Sequence, residues 1–229
     1  MAIHLQRDLE HLKREILTMG ALVEDATDRA IVALVDRRPE LAAQVQRGDD
    51  AIDQKEVEIE EDCLKMLALH QPVASNLRFI ITVLKVNNDL ERMGDCAAHI
   101  AERAAFLATH PPIGVPLDFQ KMAERVRGMV RKSLDALVRV DTGLARAVCD
   151  EDDFVDAAHR ALFGALQDLM RRDPDAVERC VNTLSASRNL ERIADLATNI
   201  AEDVIFLVEG RIVRHRYRAA RGDGAGPTG

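Results

Sequence analysis

Leu90-Glu91-Arg92-Met93-Gly94-Asp95-Cys96-Ala97-Ala98-His99-Ile100-Ala101-Glu102 recurs one hundred positions later as Leu190-Glu191-Arg192-Ile193-Ala194-Asp195-Leu196-Ala197-Thr198-Asn199-Ile200-Ala201-Glu202. From Leu90 to Leu107 against Leu190 to Leu207, the two runs agree at 10 of 18 positions. Two unrelated helices share an apolar stripe but have no reason to restore Glu, Arg, Asp and Glu at the same offsets. The chain is therefore built twice from one plan, and its duplicated carboxylates are the first candidates for function.

Outward from this repeat, the chain reads as helix throughout. Leu5, Leu9, Leu12, Ile16, Met19, Val23, Ala26, Ala30 and Ala33 alternate steps of four and three, the seam of a long amphipathic helix packed in a bundle. Arg37-Arg38-Pro39 ends it. A second helix runs from about Pro39 or Gly48 to His70, Gln71-Pro72 breaks it, and a third extends from about Val73 to Thr109. His110 to Pro116 has the proline and glycine density of a linker. The plan then restarts with helices over Phe119 to about Val140, Asp141 to Arg172, and Asp175 to about Arg218. Over the first two helices of each half the offset is 103, which aligns Asp49 with Asp152; over the third it is 100. The expected fold is all-α: two tandem three-helix bundles related by an internal repeat, at 1–109 and 118–218, with a linker at 110–117 and a disordered tail at 219–229.

Composition narrows the function. There is no Trp, one Tyr and six Phe, while helix-forming residues dominate. A net charge of −8 leaves no basic field for nucleic acid, and no run approaches the roughly 18 apolar residues that cross a bilayer. The start lacks a signal peptide. Cys63, Cys96, Cys149 and Cys180 form no CxxC pair, and three of them fall within apolar helical patterns. A reducing cytoplasm is the simplest address.

The acids fall into stripes. On the third helix Val86, Leu90, Met93, Ala97, Ile100, Ala104 and Leu107 face the core, and a second stripe of Leu84, Asn88, Glu91, Asp95, Ala98 and Glu102 lies about 100° around from it. Glu91 and Asp95 leave the same face roughly 5–6 Å apart at Cβ, where like charges repel. Asp49, Asp53, Glu56 and Glu60 form a matching line on the second helix, with no Lys or Arg within it. In the second half the counterparts are Asp152, Asp156 and His159, and Glu191 and Asp195. Facing carboxylates need protons or a cation, and an all-oxygen site suits hard metals. A lone D-x-x-x-D is ordinarily a solvated face; four motifs in two corresponding pairs predict two metal sites, one per repeat. His99, matched by Asn199, sits one turn beyond Asp95 and is an additional candidate ligand, as are Glu56, His159 and Asn199. Arg92 and Arg192 read as structural ion-pair partners, and Gly94 as a position permitting close helix packing.

With Gln71-Pro72-Val73-Ala74-Ser75-Asn76-Leu77-Arg78 leading into Asp89-Leu90-Glu91-Arg92-Met93-Gly94-Asp95, and Asn189-Leu190-Glu191-Arg192-Ile193-Ala194-Asp195 in the second half, the chain resembles the PhoU family of phosphate-transport accessory regulators over roughly residues 4 to 218. The resemblance implies two three-helix bundles with metal bound at Asp49, Asp53, Glu91 and Asp95 and at Asp152, Asp156, Glu191 and Asp195. Iron comes first among the metals, with manganese, magnesium or zinc as alternatives. It also implies a cytoplasmic negative regulator of phosphate uptake and of the phosphate-starvation (Pho) response, not an enzyme. Its partners would be the ATPase subunit of the phosphate ABC transporter (PstB-like) and a PhoR-type sensor histidine kinase. A homodimer is expected, with no nucleic-acid partner and membrane association only through those proteins. The sequence departs from the family pattern at His99, where Asn is usual, and at Ala194, where Gly is usual. Two other readings compete: a metal-free structural adaptor, and a di-metal carboxylate enzyme. The second needs Glu-x-x-His pairs pointing into the bundle, and no E-x-x-H occurs.

Overall fold

The computed structural model describes residues 2–113 and 119–210. These form α1 (Ala2–Val35), α2 (Pro39–His70), α3 (Ala74–Ala108), α4 (Phe119–Arg139), α5 (Thr142–Arg172) and α6 (Val177–Glu209), with a short 3₁₀ turn at Pro174–Ala176 before α6. No strand occurs among the described residues, and no helix there is long and apolar enough to cross a membrane.

Local chemistry sets the helix ends. Pro39 occupies the first turn of α2, where its missing N–H costs nothing. Gln71 closes α2 in the left-handed conformation, donating its N–H to the Leu67 carbonyl, and Pro72 follows. Asp141 caps α5, its carboxylate accepting from the N–H groups of Gly143 (2.8 Å) and Leu144 (3.1 Å). One expectation is corrected: the last helix was expected to run to about Arg218, but it stops at Glu209. Gly210 adopts φ +67° and donates to the Phe206 carbonyl at 2.8 Å, a left-handed cap. The apolar pair Ile212-Val213 continues the helical pattern past this glycine and masks the stop. Residues 211–229 and 114–118, which include the predicted tail and most of the predicted linker, lie outside the described residues.

Cross-helix contacts fix the directions. Lys13 lies over the Phe79 ring at 5.7 Å, and Arg37 donates to the Leu107 and His110 carbonyls, so α1 and α3 run parallel. The ion pairs Lys55–Glu15 (3.0 Å) and His70–Asp8 (2.9 Å) set α2 antiparallel to α1. The second unit joins the first along two lines. On one, α6 packs antiparallel to α3, with Lys85–Asp203 at 3.0 Å and Arg103–Asn182 at 3.4 Å. On the other, α4 packs on α1 through Arg131–Glu24 (2.9 Å) and Arg127–Asp28 (2.6 Å). The predicted seam of α1 is buried from Leu9 to Ala33, with Leu5 and Ala26 packed against it, and one contiguous core runs through both units. The two repeats are thus fused side by side.

Candidate metal centre

In the second unit Asp152 and Asp156 leave α5 one turn apart and face Asp195 on α6. One carboxylate oxygen from each lies within 4.8 Å of the other two. Asp152 is 2% exposed, and Asp156 and Asp195 are half-buried. Oxygens bound at about 2.0–2.6 Å from one hard cation stand at most roughly 4–5 Å apart, so the trio fits such an ion in both donor type and span. Glu191, half-buried one turn before Asp195, and Asn199, half-buried one turn after it, flank the trio on α6. Arg160 approaches Asp156 to 3.7 Å from the solvent side. His159 shares a 2.8 Å hydrogen bond between its Nδ1 and the Ser187 hydroxyl, which leaves only Nε2 for any other ligand.

The first unit arranges its acids more loosely. Asp49 and Glu91 are half-buried, while Asp53 and Asp95 are exposed. Burial pushes the Asp49 carboxyl above its usual range, and the charges of Asp53, Asp95 and Asp50 push the same way against a smaller opposing pull from His99. Glu91 is raised by burial, then by Asp95, Asp53 and Glu56. Glu56 is raised by burial, then by Glu60 and Asp53. The charges of the α2 and α3 acids therefore act on one another across the two helices, with His99 and Glu56 close enough to contribute. Among the described residues, only Asp152, Asp156 and Asp195 gather three ligand atoms within 4.8 Å.

The same construction brings the helices together in both units. The Asn87 amide donates to the Glu56 carbonyl at 2.8 Å, tying α3 to α2; the Ser187–His159 bond ties α6 to α5. Glu56 aligns with His159 and Asn87 with Ser187, so one tether is kept in both repeats by different chemistry. Sequence reasoning missed Asn87 and Ser187. The signal was present, since both are polar residues at repeat-equivalent places on the buried side of the third helix. Gly94 lets α2 approach α3, because a Cβ there would stand 3.0 Å from Ile52 and 3.5 Å from the Asp49 carboxylate. Arg92, as its pattern suggests, pairs with Asp89 at 3.9 Å.

A duplicated three-helix unit with an acidic pair on each of two facing helices matches the model of the PhoU domain twice, at residues 16–104 and 119–204. The chain belongs to the PhoU family. A phosphate-specific transport system accessory protein PhoU homolog from Aquifex aeolicus is 42% identical over 219 residues, 96% of this chain and 99% of that protein. The homolog of the same name from Pseudomonas aeruginosa is 42% identical over 210 residues, 91% of this chain and 86% of its own length. The crystal structure of PhoU from Pseudomonas aeruginosa superposes with a TM-score of 0.86 at 41% identity, covering 90% of this chain and 99% of that one. The phosphate transport system regulatory protein PhoU from Streptococcus pneumoniae gives 0.86 at 29% identity, over 91% and 99%. These PhoU structures share the all-helical architecture built from the repeat.

Proposed function

We propose that this PhoU-family chain is a non-enzymatic accessory regulator of phosphate transport, acting in the cytoplasm to restrain uptake and to silence the phosphate-starvation response when phosphate is plentiful. The observation that carries this reading is the match of nearly the whole chain, at 42% identity, to proteins named as accessory to a phosphate-specific transport system. The finer assignments are proposals: an adaptor, itself a homodimer, between the transporter's ATPase subunit and a sensor histidine kinase. Of the eight acids only Asp152 is buried and the other seven are half-buried or exposed, which favours a binding surface over a di-metal catalytic centre.

In this reading Asp152, Asp156 and Asp195, with Glu191 beside them, hold one hard cation, and Asp49, Asp53, Glu91 and Asp95 hold the second. The bound ion would cancel repulsion between facing carboxylates and lock α2 to α3 and α5 to α6. The test is a starvation-promoter reporter in excess phosphate, paired with a pull-down from membranes of phosphate-replete cells. Deletion of the chain should switch the reporter on, and the ATPase subunit or the kinase should be retained on the bait. A reporter that stays repressed in the deletion strain overturns the regulatory reading.

A further inference from the structure

The seam where α2 meets α3 changes chemistry along its outer side. At 100° per residue, Asp49, Asp53, Glu56, Glu60 and Leu67 fall within about 60° of one another on α2, and Leu64 stands just beyond them. On α3, Asp95, Glu91, Asn88, Leu84, Ile81 and Leu77 fall within about 80°. The Asn87–Glu56 bond at 2.8 Å and the contact of Gly94 with Ile52 fix the antiparallel register, which sets these stripes rung against rung. Asp49 is level with Asp95 and Asp53 with Glu91, and their charges act on each other across the seam. The same register sets Leu64 level with Ile81 and Leu67 with Leu77, while Glu60 meets Leu84 at the junction. One half of the groove is therefore acidic and the other apolar. Leu64 and Leu77 are 55% and 39% exposed, Leu67, Ile81 and Leu84 are half-buried, and Leu67 and Leu84 rest on the core beneath. These five form a floor on neighbouring rungs.

The acidic half is too long for one ion. Asp49 to Glu60 covers about 16 Å of helix, whereas the oxygens around one hard cation stand at most roughly 4–5 Å apart. Among the described residues the α5–α6 trio meets that span and this row does not. Carboxylates repeated at helical spacing match a row of lysines or arginines on another helix. No Lys or Arg interrupts either stripe, and Arg92 beside them pairs with Asp89 at 3.9 Å. The second unit breaks the row: His159, Phe163 and Arg188 stand where the first has Glu56, Glu60 and Asn88. We propose that the outer α2–α3 groove docks an amphipathic helix of a protein partner, with its apolar residues on Leu64, Leu67, Leu77 and Ile81 and its lysines or arginines along Glu60, Glu56 and the acids beyond. From Asp49 to Leu67 the groove is about 27 Å long, the length of an 18-residue helix. The molecule already contains such packing, since α1 lies along the other side of the same two helices with Asp8–His70 and Glu15–Lys55 pairs at its rim. The groove's charge repels nucleic acid and anionic lipid. A cation held by Asp49, Asp53, Glu91 and Asp95 would still leave Glu56 and Glu60 to the helix, so the inference needs neither the metal nor the regulatory reading.

The test is fluorescence anisotropy of a labelled helical peptide of about 18 residues titrated with the full chain in chelator. One half of the peptide's binding face carries leucines and the other half lysines; a twin carries glutamates in place of the lysines. The lysine peptide is expected to bind and the glutamate twin not to. Leu64→Ser with Leu77→Ser should weaken binding at least roughly tenfold with an unchanged melting curve, since both side chains already stand in solvent. Glu56→Gln with Glu60→Gln should weaken it about fivefold at low salt and less at high salt. Phe163→Ser with Val181→Ser, on the equivalent side of the second unit and likewise exposed, should leave it unchanged. Equal binding of the two peptides, full binding by the Leu64/Leu77 variant, or an equal loss in the Phe163/Val181 variant overturns the proposal. Self-association of the chain that Leu64→Ser with Leu77→Ser abolishes and that excludes the peptide would make the occupant a second copy, and overturns it too.

Discussion

Gly94 of α3 rests against Ile52 of α2 so closely that a Cβ at position 94 would stand 3.0 Å from Ile52 Cδ1 and 3.1 Å from its Cγ2. Two effects oppose each other there. Alanine is favoured over glycine in a helix by roughly 0.5–1 kcal/mol, while overpacking a tight contact costs about 1–3 kcal/mol. Because Ile52 is itself buried and its Cγ2 cannot rotate away without a rotamer change, overpacking wins. Gly94→Ala is expected to destabilise by about 1 kcal/mol in chemical denaturation. In an Ile52→Ala background the clash is gone and the same change should stabilise. A double-mutant cycle with no change of sign would show that helix approach is not what the glycine serves.

The raised carboxyls of Asp49 and Glu91 give the metal-free protein a distinctive pH dependence. An acid whose folded pKa lies above its unfolded value binds its proton more tightly when folded, so unfolding releases protons and stability falls as pH rises through that interval. Chelated protein should therefore gain stability as pH drops from neutral toward the unfolded carboxylate value of about 4. Asp8, Glu10, Glu40 and Glu58, whose carboxyls are lowered by hydrogen bonds to His70, Lys13, Arg38 and Lys55, pull the other way only below that value. Asp49→Asn should flatten the neutral-to-acid gain. An unchanged slope would mean that these acids do not feel one another.

Cation addition should reverse that repulsion. At a free concentration one hundred times the dissociation constant, one bound ion stabilises by about 2.7 kcal/mol, which for a chain of this size is a rise in melting temperature of roughly 5–10 °C. Asp195→Asn should remove the contribution of the trio on α5 and α6, and Asp95→Asn that of the groove on α2 and α3. The trio, with its three oxygens already within 4.8 Å, should saturate at the lower metal concentration. Elemental analysis and melting curves across a manganese or iron(II) titration check both points; a melting temperature indifferent to metal makes the acids a solvated face.

The helices and their order were legible because each carries an unbroken apolar period and a proline, glycine or aspartate at its ends. The acidic pairs were legible because a helix fixes which residues share a face. Three features were hidden from that reading. The Gly210 stop was masked by the apolar pair after it, since a period alone does not register a left-handed cap. The unequal closeness of the two acid clusters depends on how α5 meets α6 and α2 meets α3, which spacing along one helix does not encode. The α3–α6 seam also buries polar residues, Asp203 beside Lys85 and Asn182 beside Arg103, where a stripe pattern expects only apolar ones. That seam arises from pairing two repeats, and each repeat read alone gives no hint of it.

All four cysteines are buried and free. Burial pushes the thiols of Cys63 and Cys149 up to about 12 and that of Cys96 up to about 11, and raises Cys180 as well. Since the thiolate is the reactive species, the native protein should not react with Ellman's reagent at mildly alkaline pH, and should release four equivalents once denatured. Rapid titration of one thiol in the native state would mark a helix that opens locally, with Cys180, outside the main core, the first to examine.

The shared core makes the halves interdependent. Leu90, Met93, Ala97, Ile100 and Ala104 lie buried along one stripe of α3, and Cys96 and Ala101 widen it on either flank. Helix α6 presents the equivalent surface, from Leu190 and Ile193 to Ala201 and Val204. A fragment of residues 1–113 would keep α1, α2 and α3 but uncover the α3 face that packs on α6, together with the α1 face that packs on α4 at Gly20 and Leu134. Several apolar side chains returning to water, at about 1.5–3 kcal/mol each for the larger ones, match the whole stability of an ordinary domain. The fragment should therefore be poorly folded at low concentration, or should pair with a second copy of itself through the same face. Circular dichroism and sedimentation across a dilution series distinguish these outcomes from the alternative. A fragment that stays helical, monomeric and cooperatively folded at every concentration would show that each repeat is an independent domain and that the α3–α6 seam is only a docking surface between them.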